Sequence, residues 1–272
     1  MTRFTVLGAT GYVGSRLAAH LKSLGFEVLT PVRHDPVIFN QPLGHLMYCI
    51  GLTGNFRNRP FDTVQAHVEV LSSVLQRADF ESLTYLSSTR VYMGSDRTDE
   101  EAPLQVLPSD LSSLYNLSKL TGEALCHASG RPGVRVARLS NVVGPGMDAA
   151  SGNFVASLIR EAGSGSVVLR SHPDSAKDYL HVNDVVAWLP VLATAGRHQV
   201  YNLASGVQLT HQHWAQWVVD RLGGAWTADA AAPMQGFAPI DVRRLQNEFG
   251  CFPRAADDWT PNSSGASVAP NH

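Results

Sequence analysis

The chain has 272 residues, 44% of them hydrophobic and 16% charged, with a formal net charge of −2. That length and composition fit a globular protein of one large domain or two modest ones, and the near-neutral charge gives no footing for nucleic acid or an anionic membrane surface. No apolar run reaches the roughly 18 residues of a membrane span. The opening MTRFTVLGAT is already strand-like and lacks a signal-peptide layout, and Cys49, Cys126 and Cys251 are scattered without metal-ligand spacing. A reducing compartment, the cytoplasm, is therefore expected, with no metal site.

Phe4-Thr5-Val6-Leu7 reads as a first strand. Tyr12 to Leu24 carries apolar residues at helical spacing and stops at Gly25. Glu27 to Val32 and Leu46 to Ile50 are the next two strands, Phe61 to Ala78 a helix and Ser82 to Ser87 a fourth strand. Leu114 to Ser129 is a helix closed by Gly130, and Val134 to Leu139 a fifth strand. Repeated strand–helix alternation predicts an α/β fold: a Rossmann-like, doubly wound parallel sheet covered on both faces.

Beyond Asn141 the texture changes. Gly144-Pro145-Gly146 interrupts the pattern before a helix over Phe154 to Ala162. Tyr179 to Val182 is strand-like, a helix from Asn183 meets a break at Pro190, Val200 to Leu203 is another strand, and His211 to Leu222 a helix. The pattern predicts a cofactor-binding domain over 1–145, to which 176–208 return, a small C-terminal substrate-binding subdomain from 146–175 and 209–261, and a disordered tail over 262–272.

Gly8-Ala9-Thr10-Gly11-Tyr12-Val13-Gly14 follows strand one directly and opens helix one. Gly8 allows the tight turn, Gly11 removes a side chain where backbone meets a pyrophosphate, and Gly14 lets helix pack on strand. A helix N-terminus then offers free N–H donors to the diphosphate of a dinucleotide. Past strand two no carboxylate awaits the ribose, whereas Arg33 suits a 2′-phosphate, so of NADP and NAD the expectation favours NADP. With the ends of later strands included, the expected cofactor contacts are Gly8, Thr10, Gly11, Tyr12, Val13 and Gly14 in the turn. Arg33, Ile50, Tyr115, Lys119 and Leu139 complete the set.

Tyr115-Asn116-Leu117-Ser118-Lys119 sets a phenol and an ammonium four residues apart, on one helix face. Reducing a carbonyl needs a proton donor, and a phenol with a pKa near 10 serves better beside a positive charge. At the end of strand four, Ser87, Ser88 and Thr89 all offer a hydroxyl to the substrate oxygen.

Together these segments resemble the extended short-chain dehydrogenase/reductases, the family of nucleotide-sugar epimerases, dehydratases and 4-ketoreductases. The likeness runs to about Pro253. It rests on the glycine turn, on Ser87 to Tyr92, on Tyr115 to Lys119, on Arg138 to Gly146 and on Lys177 to Val185. It implies a catalytic set of Ser88, Tyr115 and Lys119, and sugar-nucleotide contacts from Ser88, Thr89, Arg90, Asn141, Asn153 and Lys177. It also implies a homodimer. Three departures stand out: Lys177 in place of an arginine, Cys49 to Leu52 in place of a His-x-Ala-Ala run, and Met93 in place of a glycine. Relatives that dehydrate hexoses carry an Asp–Glu pair where this chain has Thr89 and Arg90.

The expected activity is therefore a 4-ketoreductase or epimerase acting on a nucleotide-activated sugar, and not a 4,6-dehydratase. An NADPH-dependent reductase of a non-sugar ketone is the alternative enzyme. A redox-sensing NADP-binding protein is the alternative without catalysis, and the intact Tyr115–Lys119 pair speaks against it.

Overall fold

The computed structural model describes residues 2–54, 56–110, 112–148, 151–250 and 256–259. The predicted tail over 262–272 and Cys251 lie outside them.

Strand β1 (Arg3–Leu7) leads through the glycine turn into α1 (Tyr12–Ser23), followed by β2 (Glu27–Leu29) and β3 (His45–Tyr48). Next come α2 (Pro60–Val64), a π-helical turn over Gln65–Glu69 and α3 (Val70–Arg77), then β4 (Ser82–Ser88), α4 (Ser113–Ala128) and β5 (Val134–Leu139). The second half holds β6 (Asn141–Val143), α5 (Phe154–Ala162), β7 (Ser166–Leu169), β8 (Ala176–His181) and α6 (Val182–Ala195). The described elements end with β9 (Val200–Leu203), β10 (Gln208–Thr210), α7 (His211–Leu222), β11 (Ala225–Ala228) and α8 (Arg243–Phe249).

The main sheet runs β2-β1-β3-β4-β5-β9, every pair parallel. Its apolar strands are buried on both faces, which suits a sheet with helices above and below. On one face Leu17, Leu21, Leu189 and Leu192 of α1 and α6 pack against Phe4, Val6, Met47 and Ala137. On the other, Leu71, Val74 and Cys126 pack against Leu46, Tyr48, Leu83 and Val136. The order reverses between β1 and β3, and the glycine turn opens at that switch point, where doubly wound sheets bind their ligands. Residues 30–44 hold only a 3₁₀ turn over Pro36–Phe39, so β2 is the sheet edge on this side.

Two smaller sheets, β10-β8-β6 and β11-β7, lie beyond β5. Val155 and Leu158 of α5 and Trp214 and Val218 of α7 form a third core with Val167, Leu169 and Tyr179.

Three local readings are corrected. Strand two stops at Leu29, before Pro31, so Arg33 stands in a turn beyond the strand and next to His34, whose φ is +64°. The helix through 60–77 is continuous in direction but widens into a π turn at Gln65–Glu69. Helix α6 runs straight through Pro190, because Val185, Val186, Leu189, Leu192 and Ala193 are buried on either side of it and that packing outweighs one lost backbone hydrogen bond.

Candidate active site

The turn after β1 has the build of a phosphate cradle. Gly8 sits at φ +82°, and a Cβ there would lie 2.9 Å from the Cys49 carbonyl. A Cβ on Gly14 would collide with the Gly8 carbonyl oxygen. The N-cap of α1 is Gly11, with no side-chain cap and no acidic residue in the first turn, so the N–H groups of that turn remain open to a ligand. A cleft of about 460 Å³ borders Thr10, Gly11, Tyr12, Ser15 and Arg16. These residues fit a dinucleotide diphosphate, held by backbone donors and the helix dipole.

Val13 is half-buried behind the turn, Ile50 lies where β3 ends, against Gly8, and Leu139 is buried at the end of β5. Arg33 is exposed and donates from Nη2 to Gln65 Oε1 at 2.8 Å.

Along β4 side chains alternate between faces, which separates the three hydroxyl candidates. Ser87 donates to Glu123 Oε1 at 2.5 Å in a buried network. Glu123 pairs with Arg138 at 2.6 Å, and Arg138 also donates to the Tyr92 hydroxyl at 2.7 Å. Ser88 points to the other side, where its hydroxyl accepts from Arg90 N at 3.2 Å and stands near enough to Tyr115 to lower the pKa of the phenol. Thr89 is buried within the following 3₁₀ turn. Ser88 and Tyr115 thus stand together, and Ser87 is committed to the scaffold.

Helix α4 carries Tyr115, Ser118, Lys119 and Glu123 on its buried face. Burial pushes the Tyr115 phenol above its ordinary pKa, while the Ser88 hydroxyl and the Arg90 charge pull it down. Lys119 donates to Leu86 O at 2.7 Å and lies 5.9 Å from the Tyr115 ring centroid. Burial lowers its pKa to about 7, against the raising influence of Glu123 and Cys49. With the Lys119 ammonium turned onto Leu86 O, the cation that acts on the Tyr115 phenol here is Arg90.

His67 was not singled out from sequence. It lies in the π turn, fully buried against the edge of the Tyr115 ring, with centroids 5.4 Å apart and planes at 86°. The Ala66 and His67 carbonyls are taken up by the hydroxyls of Tyr48 at 2.6 Å and Tyr85 at 3.3 Å. The Ser118 hydroxyl donates to Tyr115 O, so at 2.8 Å it accepts from His67 Nδ1–H. Nε2 is then the acceptor for Leu52 N at 3.3 Å. Burial, with the Lys119 charge beside it, lowers the His67 pKa to about 2, so the imidazole is neutral. A Cβ on Gly51 would lie 3.2 Å from His67 Nε2 and 3.4 Å from Lys119 Nζ, a tight fit that a side chain there would disturb. A helical period of 3.6 already sets position 67 on the buried stripe with Thr63, Leu71 and Val74, and what it does not reveal is that this stripe meets Tyr115.

Phe56 and Arg57 were missed as well. The buried Phe56 ring lies 5.2 Å from that of Tyr115, and the guanidiniums of Arg57 and Arg90 lie 4.5 and 5.8 Å from its centroid. Lys177, half-buried, sits 5.1 Å from the Phe237 ring centroid, its pKa lowered by burial and by Arg90. Asn141 is exposed and donates to Asp178 O at 2.8 Å. Asn153 caps α5, its Oδ1 accepting from Val155 N at 2.9 Å.

A phenol and a serine hydroxyl brought close together at the carboxyl end of β4 can polarise a carbonyl and move a proton to or from its oxygen.

Residues 44–204 match the NAD dependent epimerase/dehydratase family. No curated protein matches the sequence. Among solved structures, the chain is similar to MoeE5 in complex with UDP-glucuronic acid and NAD, at 21% identity over 93% of this chain and 94% of that one, with a TM-score of 0.76. It is similar to RMD from Pseudomonas aeruginosa complexed with NADPH, at 23% identity over 94% and 95%, with a TM-score of 0.74. It is also similar to the dTDP-glucose 4,6-dehydratase of Bacillus anthracis in complex with NAD, at 18% identity over 94% and 93%, with a TM-score of 0.71.

Proposed function

The chain belongs to the NAD dependent epimerase/dehydratase family and is an enzyme of the short-chain dehydrogenase/reductase type, and from that premise we propose that it acts on a hydroxyl or keto carbon of a sugar carried on a nucleoside diphosphate, as a 4-ketoreductase or an epimerase. The observation that carries this reading is the Ser88–Tyr115 hydroxyl pair with Lys119 behind it.

In this reading Ser88 donates a hydrogen bond to the substrate oxygen, and Tyr115 gives that oxygen its proton on reduction or removes it on oxidation. Lys119 holds the cofactor's ribose and supplies positive charge once a ligand draws its ammonium from Leu86 O. His67 fixes the Leu52 backbone and the Tyr115 ring. Gly8, Gly11 and Gly14 would hold the diphosphate of a nicotinamide dinucleotide, which when bound would supply or accept the hydride. The nucleotide-sugar substrate is supported by MoeE5, whose structure holds UDP-glucuronic acid. Of the remaining residues, Lys177 is suited to a phosphate oxygen as a point charge.

Thr89 and Arg90 supply neither the acid nor the base that eliminating water from the sugar requires, since an arginine stays protonated, so the proposal excludes 4,6-dehydration. Arg33 and the NADPH of RMD favour NADP and hence net reduction. The test incubates the purified protein with UDP-, dTDP-, GDP- and CDP-sugars and their keto forms, with each cofactor, and follows products by mass spectrometry. Reduction that consumes cofactor, or epimerisation without net consumption, supports the proposal. Loss of water from the sugar, or turnover confined to non-sugar ketones, overturns it.

A further inference from the structure

Among the described residues, several partly or fully buried arginines have their nitrogens taken up by acceptors. Arg131 donates to Leu75 O and Ala78 O, Arg135 to the carbonyls of Gly133, Ala193 and Gly196, and Arg138 to Glu123 and Tyr92. Arg3 has an unpartnered Nε but anchors its fork on Pro42 O and Glu27. Arg90 differs. Its Nε is buried with no hydrogen-bond partner among the described residues, and its guanidinium rests near the Phe56 ring, which also carries Arg57. A buried donor without a partner is costly, and two guanidiniums on one ring repel each other.

We infer that Arg90 recognises a carboxylate on the sugar, so that the substrate is a nucleoside diphosphate hexuronate or a similar acidic sugar. This rests on the nucleotide-sugar reading above and narrows it.

Position decides which anion Arg90 serves. Its own N–H is bonded to Ser88 Oγ, and its side chain shares Phe56 with Tyr115, so it stands at the reacting end of the sugar. With the reacting oxygen on Tyr115, a carboxylate on the neighbouring ring carbon is only a few bonds from that oxygen, at the end of the sugar where Arg90 stands. The diphosphate hangs from the opposite side of the ring. An arginine fork matches a carboxylate with two parallel hydrogen bonds, a geometry a neutral hydroxymethyl group does not fill. The titratable and charged groups whose fields reach Arg90 are Arg57, Tyr115, Lys177 and Asp110. Asp110 is the sole carboxylate among them, it is exposed, and it is already bonded to the Ser112 amide and hydroxyl. Among the described residues no ion pair joins Asp110 to Arg90, and the Asp110 charge acts on Arg57 as well, so the Arg90 guanidinium stays open to a further anion.

Calorimetry on the full-length, cofactor-saturated protein tests the inference. The free nucleoside diphosphate that binds most tightly sets the base, and the hexose and hexuronate of that base are then compared, for example UDP-glucose with UDP-glucuronate. The hexuronate is expected to bind about tenfold or more tightly than the hexose, the effect of one charge-assisted pair. In Arg90→Met that ratio falls below about threefold, and Arg90→Lys lies between. Cofactor titration on each variant reports that the fold persists. A hexose-to-hexuronate ratio near one in the wild type, or a ratio that survives Arg90→Met, overturns the inference and leaves the proposed function standing. Equal weakening of hexose, hexuronate and free nucleoside diphosphate in Arg90→Met also overturns it and gives Arg90 to the diphosphate. Failure of every nucleotide and nucleotide sugar to bind removes the proposed function itself, and the inference with it.

Discussion

His67 stands edge-on to Tyr115 at 5.4 Å, its Nδ1–H given to Ser118 and its Nε2 accepting from the Leu52 amide. Its pKa is lowered from 6.5 to about 2, so the folded protein binds fewer protons here than the unfolded chain. The associated stability is complete above about pH 6.5 and is lost as pH falls toward 2, at about 1.4 kcal/mol per pH unit. His45 and His211 are lowered too, so the difference between wild type and His67→Asn isolates this group. Chemical denaturation between pH 7 and 5 should show that difference shrinking as pH falls. Parallel curves for the two proteins would refute the assignment. The same variant is expected to lose about tenfold in kcat, because Tyr115 loses the ring that orients it.

Tyr115→Phe should lower turnover by about 10²–10⁴-fold with cofactor affinity nearly unchanged, measured by steady-state kinetics beside calorimetry. Retention of more than about a tenth of the rate would remove Tyr115 from the proton-transfer role. Ser88→Ala deletes a hydroxyl that favours the phenolate. The pH at which the oxidative rate rises should therefore move upward in that variant, and an unmoved profile would place the Ser88 contact outside the reaction.

The Glu123–Arg138 pair is buried on both sides, with side chains 5% and 6% exposed, and Ser87 and Tyr92 depend on it. Removing one partner strands a buried charge, so Arg138→Met should cost about 3–5 kcal/mol. The double variant Glu123→Leu with Arg138→Met removes both charges and should be more stable than Arg138→Met alone. Urea midpoints compare them, and a double variant less stable than the single one would contradict the desolvation argument.

Arg33 is held by Gln65 in an exposed turn beside the edge strand β2. Wild-type protein should bind NADP(H) more tightly than NAD(H), and Arg33→Ala should narrow that gap by about tenfold. Calorimetry with both cofactors decides it. Tighter NAD binding by the wild type would assign Arg33 to solvent and Gln65 alone.

Local chemistry made much of this legible before any coordinates. Apolar runs alternating with helical spacing gave the parallel sheet, because strands buried on both faces cannot hide their composition. The glycine turn was readable because backbone constraint acts within a few residues: Gly8 at φ +82° and Gly14 against the Gly8 carbonyl are properties of one short segment. The spacing of Tyr115 and Lys119 likewise fixed them on one face of α4.

Tertiary structure decided whatever depends on which residues meet. From composition alone Ser87, Ser88 and Thr89 were equivalent; the pleat of β4 sends Ser87 to Glu123 and Ser88 to Tyr115. Residue 67 looked like one more position on the buried stripe of an amphipathic helix, and only the fold sets it edge-on to the Tyr115 ring. Arg90 read as one of two residues following a serine, yet its unpartnered Nε and its place beside Phe56, Arg57 and Lys177 come from chain segments far apart in sequence. Periodicity and turn chemistry report forces within a dozen residues, whereas burial, charge pairing and hydrogen-bond satisfaction are set by neighbours that only the folded chain brings together.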